Sequence, residues 1–175
     1  MMRTPSSRVT ALTLCAALIS LPALAGPVDM PPRKPGLWDI KVSPGPQMPA
    51  MTMQQCTDAS TDKDMSSTFS PMAKEMCAKQ DMQKTATGLV IDATCTVNGV
   101  TSTSHTEITG DFNSAYTVKV ATKSNGKIPD AVTMMEAKWM GACKADQKPG
   151  DIVMPGGMKM NIKDMQAMKG ARPKP

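Results

Sequence analysis

The chain has 175 residues, with 20 lysines and arginines against 15 aspartates and glutamates, one histidine, 18 methionines and only two tryptophans, two phenylalanines and one tyrosine. The length fits one domain. Basic residues scattered along the chain, with so few aromatics to stack on bases, exclude a nucleic-acid partner.

The first segment reads as an address. Arg3 and Arg8 precede an apolar run from Val9 to Leu21, and small residues follow at Ala23 and Ala25, the pattern of a secretory signal peptide over residues 1–25 with cleavage before Gly26. The run is too short to span a bilayer, and no later stretch approaches that length. A soluble periplasmic protein with no transmembrane segment is therefore expected. Cys15 lies inside the apolar run behind Leu14, the wrong context for lipidation. Loss of Arg3 and Arg8 leaves 18 basic residues against 15 acidic ones, a net charge of +3. Loss of Cys15 leaves Cys56, Cys77, Cys95 and Cys143, an even number in an oxidising compartment, which reads as two disulfides. No pair has CxxC spacing, so neither a zinc ribbon nor a thioredoxin-like motif is indicated.

Residues 26–35 are proline-rich and predict an extended, mobile lead-in to a single β-rich domain over 36–169, with a disordered tail at 170–175. In "LWDIKV", Trp38, Ile40 and Val42 alternate with Leu37, Asp39 and Lys41, as in a half-buried strand. "SPGPQMP" turns the chain into "MPAMTMQQC". On a strand, Met51, Met53 and Gln55 project from one face there, while Thr52, Gln54 and Cys56 project from the other. "DASTDKD" lacks the glycine and terminal glutamate of a calcium loop and reads as a solvated turn. Between Thr57 and Met76 one or two short helical turns are expected, with Ser70 as a cap, Pro71 at the first position and Glu75 in the first turn.

The clearest architectural signal is Asn98-Gly99, a two-residue hairpin turn. It pairs Val97 with Val100, Cys95 with Ser102, Ala93 with Ser104, Ile91 with Thr106 and Leu89 with Ile108 on one face. A three-residue turn at Asn113, Ser114 and Ala115 then pairs Phe112 with Tyr116, Gly110 with Val118 and Ile108 with Val120 on the same face. "KSNGKIPD" makes another turn, and Met135, Ala137, Trp139 and Cys143 share a face of the last strand. Cys77 and Cys95 flank a hairpin turning near Ala86, and facing each other they would place Lys79, Asp81 and Gln83 on the apolar side. A β-bulge reconciles their pairing with an inward Met82. Cys56 is left to Cys143. The fold class is all-β, an antiparallel meander of about seven strands forming a curved sheet or partly open barrel, with one or two short helices.

"PGLWDIKV", "MPAMTMQQCTDAS", the hairpins through "AYTVKV", and "KWMGACKADQKPGDIVMPGGMKMN" resemble, in that order, the bacterial family catalogued as domain of unknown function 3617, over residues 35 to 161. The resemblance implies an exported, β-rich, four-cysteine domain and brings no activity with it.

Catalytic signals are absent from the pattern. His105 falls opposite Asp92 on the outward face as a cross-strand pair, and Ser104 projects from the other side, so no nucleophile and base are brought together. Most methionines read as flexible core fillers, with Ile162, Met165 and Met168 forming the buried stripe of a short helix behind an Asn161 cap and before Gly170. The expected function is a non-enzymatic binding or structural envelope module without a cofactor, whose sheet takes an apolar ligand or an envelope protein partner. The alternative is a methionine-rich Cu(I)- or Ag(I)-binding protein, because thioethers favour those ions.

Overall fold

Strand β1 (Gly36–Ser43) is followed by β2 (Met51–Thr57), helix α1 (residues 59–65), β3 (Cys77–Thr85), β4 (Gly88–Val97), β5 (Val100–Asp111), β6 (Ala115–Ser124), β7 (Ala131–Gly141), the short strands β8 (Asp151–Val153) and β9 (Lys159–Asn161), and α2 (Ile162–Gly170). This computed structural model describes residues 30–46, 48–65, 76–125 and 129–170, and the side chains only as far as 167. The leader, the cap at Ser70, Pro71 and Glu75, the side chain of Met168 and the tail beyond Gly170 lie outside the described residues.

All nine strands join one open antiparallel sheet in the order β3-β4-β5-β6-β7-β1-β2-β8-β9. The meander from β3 to β7 is extended by the β1–β2 hairpin, which docks β1 on β7. Seven strands match the expected meander; β8 and β9 are additional. The short ribbon they form pairs with β2 through only Gln54 and Gln55.

Turn chemistry explains most of the register. Asn98 (φ 50°) and Gly99 (φ 75°) adopt the left-handed backbone that a two-residue hairpin turn requires, and the β4–β5 pairs are the expected ones from Leu89–Ile108 to Val97–Val100. The next turn differs from expectation. The loop is Phe112-Asn113-Ser114, and Gly110 faces Tyr116 while Ile108 faces Val118. The Asp111 carboxylate causes this, accepting hydrogen bonds from the Asn113 backbone N–H (2.9 Å) and the Ser114 hydroxyl (3.0 Å) and so closing the loop one residue earlier. The slip is two residues in total, so every side chain keeps its face.

Both disulfides are present, Cys56–Cys143 and Cys77–Cys95. Cys77 faces Cys95, a bulge intervenes, and Met82 then faces Ile91. Gly36 (φ 132°) lies where a side chain would run into the Gly141 carbonyl oxygen, so its bare backbone permits the close approach of β1 to the end of β7. Asn161 caps α2 as expected, its Oδ1 accepting from the Lys163 N–H at 3.0 Å.

Trp38, Ile40, Leu89, Ile108, Phe112, Tyr116, Val118 and Ala137 form one buried cluster. Leu89 on β4 and Trp38 on β1 are separated by three intervening strands, so the sheet curls with this face inward. The aromatics gather at one end: Tyr116 lies 5.5 Å from Trp38 and 4.8 Å from Phe112, ring centre to ring centre.

Candidate functional site

The inner face grades along the strands. At the closed end stand Trp38, Phe112 and Tyr116, all buried. In the middle, Met51, Val42, Met135, Val118, Ile108 and Leu89 form one row across β2, β1, β7, β6, β5 and β4. Beyond it runs a row of Thr133, Val120, Thr106, Ile91 and Met82. The rows become progressively less covered: Val42, Ile91, Val120 and Met135 pack against the core while only half-buried. Towards this less covered end the inner face forms an apolar trough lined by aliphatic and small hydroxyl side chains, on a sheet whose edge strands β3 and β9 do not pair with each other.

The closed end is locked by a polar cluster that sequence reasoning missed. Arg33 Nε lies 2.6 Å from Asp62 Oδ1, with both side chains only 9% exposed. The Arg33 backbone N–H also donates to Asp62 Oδ2 (2.9 Å), and Arg33 Nη1 donates to Gln55 Oε1 (2.7 Å). The guanidinium carbon stands 6.0 Å from the centre of the Trp38 ring. Burial pushes the Tyr116 phenol up, an effect that the neighbouring Arg33 charge opposes.

Two expectations are corrected here. The end of the proline-rich lead-in is pinned: besides Arg33, the Lys34 N–H donates to the Phe112 carbonyl (2.9 Å), and the Trp38 and Trp139 indoles donate to the Lys34 and Pro35 carbonyls. "DASTDKD" is no solvated turn. Asp58 caps α1 in a reciprocal box, with the Thr61 N–H donating to Asp58 Oδ1 (2.8 Å) and the Asp58 N–H to Thr61 Oγ1 (2.9 Å), while Thr61 and Asp62 are buried. Those bonds hold the Asp58 carboxyl below its ordinary value. The spacing of Asp58 and Thr61 was the available signal.

The outer face is charged and hydroxyl-rich. His105 Nδ1 lies 2.7 Å from Asp92 Oδ1, and Lys119 Nζ lies 3.3 Å from Glu107 Oε2. Ser104 faces the other way, into the trough. The hydrogen bond to Asp92 raises the His105 pKa above 6.5, with Glu107 adding to the effect. The stabilisation this pair provides is fully present below pH 6.5 and fades as pH rises through the higher folded value. Nuclear magnetic resonance titration of the imidazole should show that elevation, and Asp92→Asn should bring the midpoint back towards 6.5; an unchanged midpoint would refute the pairing. A shallow outer groove of about 510 Å³ runs past Asp39, Lys41, Thr117 and Glu136. A second groove, of about 470 Å³, lies between the Asp146 loop and β9. The Lys41–Glu136 ion pair borders the first and the Lys159–Asp146 pair the second.

Among the described residues no group of three or more histidine, cysteine, aspartate or glutamate side chains could hold a metal ion, and no helix is long and apolar enough to cross a membrane. The methionines divide. Met53 and Met135 pack against the core, whereas Met51, on the same face of β2 as Met53, is 39% exposed because it sits where β2 starts, at the open end.

No curated protein and no solved structure matches the chain. A family model described as "Protein of unknown function (DUF3617)" matches residues 33–143. That span opens at Arg33, the anchor of the closed end, and ends at Cys143, the partner of Cys56; it stops short of β8, β9 and α2, which the sequence resemblance had partly included. The chain belongs to this family of proteins of unknown function, DUF3617.

Proposed function

We propose that the protein is an exported, non-enzymatic binding module of the cell envelope whose inner sheet face takes an apolar ligand. The observation that carries the reading is the half-buried set Val42 and Met135 of one row and Val120 and Ile91 of the next, beside a fully buried core in a sheet that does not close. Burying such surface contributes about 25 cal/mol per Å², so an acyl chain laid along the trough gains more than an ordered polar molecule would. Methionines at the mouth suit a ligand of variable shape, since the unbranched thioether adapts its rotamers. The leader-like N-terminus supports export, and the engagement of His105 by Asp92 on the face opposite Ser104 supports a non-catalytic role.

Native mass spectrometry of the protein purified from its own periplasm tests this. A co-purifying lipid or other apolar molecule is expected, and Val120→Glu, which puts a charge into the open end, should abolish its retention. Recovery of the protein free of ligand, or associated only with another protein, would overturn the ligand reading.

A further inference from the structure

The β8–β9 ribbon lies outside the span matched by the family model, and the apolar trough does not use it. Its register carries a separate arrangement. Ile152 faces Gln55 on one side and Met160 on the other. Facing residues of antiparallel neighbours share a face, and so do alternate residues of one strand. Continued one step beyond the paired residues, which end at Gln54 and Val153, that register sets Met53 opposite Met154. The Met154 N–H donates to the Met158 carbonyl at 2.8 Å, and the Gly157 N–H to the Met154 carbonyl at 3.0 Å. This tight turn sets Met158 opposite Met154. Three thioethers thus stand in one row on neighbouring chain segments spaced by about 5 Å, with Met160 two residues beyond Met158 on the same side.

Core packing accounts for Met53 but not for the rest of this row. Met158 is 61% exposed, and Met154 and Met160 are half-buried. Met65 is excluded from it, because its sulfur already accepts from Arg33 and Gln55. The charged groups of the ribbon, Asp151 and Lys159, project from the opposite side, where Asn161 and Asp146 engage them. All four cysteines of the domain are consumed in disulfides. On this face Met53, Met154 and Met158 offer neutral, polarisable sulfur donors beside Ile152 and Gln55, while Met160 also borders the groove that Asp146, Asp151 and Asp164 line. Hard divalent cations do not exchange their water for such donors, whereas soft monovalent ions do.

We propose that Met53, Met154 and Met158, with Met160 in reserve, bind one soft monovalent cation, Cu(I) or Ag(I), through their thioether sulfurs. The site shares only Met53 with the trough, and leucine substitutions that remove its donors keep the apolar area, so this inference and the ligand reading fail separately.

The exported, disulfide-bonded protein should be titrated anaerobically with Cu(I) against a chromophoric Cu(I) chelator. A parallel titration with Ag(I) should follow methyl-labelled methionines by nuclear magnetic resonance. One equivalent is expected to be withdrawn from the chelator, and the Met53, Met154 and Met158 methyl signals should shift together. Met154→Leu with Met158→Leu should lose that uptake while the circular dichroism spectrum is unchanged. Met134→Leu with Met140→Leu, on the outer face, should keep it. Failure of the wild-type protein to compete, retention of one-to-one uptake by the Met154/Met158 variant, or shifts confined to other methionines would overturn the site.

Discussion

Asp62→Ala is expected to destabilise the folded protein by about 3–5 kcal/mol, the range for stripping one partner from a buried ion pair. The 2.6 Å contact between Arg33 Nε and Asp62 Oδ1 is shielded on both sides, and Asp62 Oδ2 also accepts the Arg33 backbone N–H. Without the carboxylate, the guanidinium keeps its bond to Gln55 and its place near Trp38, but its charge has no counterpart in a site that water scarcely reaches. Alanine is a better helix former than aspartate, so lost helix propensity would not produce this effect. Replacing both partners by apolar residues, as in Arg33→Met with Asp62→Leu, should recover most of the loss, because desolvation is then avoided as well. Urea unfolding of the disulfide-intact proteins reads both effects. A single variant within about 1 kcal/mol of wild type, the scale of an exposed pair, would show that the pair is not buried in solution.

That same pair marks the boundary of what the sequence discloses. Hairpins are local: Asn98-Gly99 specifies its own backbone, and the alternation of Leu89, Ile91 and Ala93 with Asp92 and Thr94 declares a face without reference to anything distant. The bulge between Cys77 and Lys79 was legible too, because the disulfide and the inward Met82 made incompatible demands on one register. Arg33 was not legible. Its partner lies 29 residues away, and each half, taken alone, has the composition of solvent-exposed chain: a proline-rich lead-in on one side and a run of aspartates and hydroxyls on the other. The slip at Phe112 has a similar origin, since the Asp111 side chain closes the loop and hydrophobic alternation carries no record of it. Alternation does preserve facing, which is why the inner surface was foreseen despite the wrong pairing. Met51 shows the limit of that rule: facing the core side does not bury a residue placed where the core has ended.

Removing the Cys56–Cys143 bridge should cost more than removing Cys77–Cys95. The bridges close loops with sequence separations of 87 and 18 residues. Chain entropy alone assigns them about 4.6 and about 3.2 kcal/mol respectively. Position widens the difference. Cys56 is fully buried, it precedes Thr57 in the part of β2 that faces the start of β1, and its carbonyl accepts the Gly150 N–H at 2.8 Å, so its tether joins β2 to the chain beyond β7 across the intervening β1. Without it, the docking of the β1–β2 hairpin on β7 depends on the β1–β7 ladder and the bonds of the Lys34–Pro35 segment to Phe112 and Trp139. The Cys77–Cys95 bridge closes a half-exposed hairpin at the sheet edge, where the turn between Thr85 and Gly88 already fixes the register. Paired alanine variants, Cys56→Ala with Cys143→Ala and Cys77→Ala with Cys95→Ala, should both unfold at lower urea concentration than wild type, the first by the larger margin. Equal losses, or a larger loss from the edge hairpin, would mean that β1 and β2 hold to the sheet without the long bridge, and that the closed end of the trough is secured by the Arg33–Asp62 pair and aromatic packing instead.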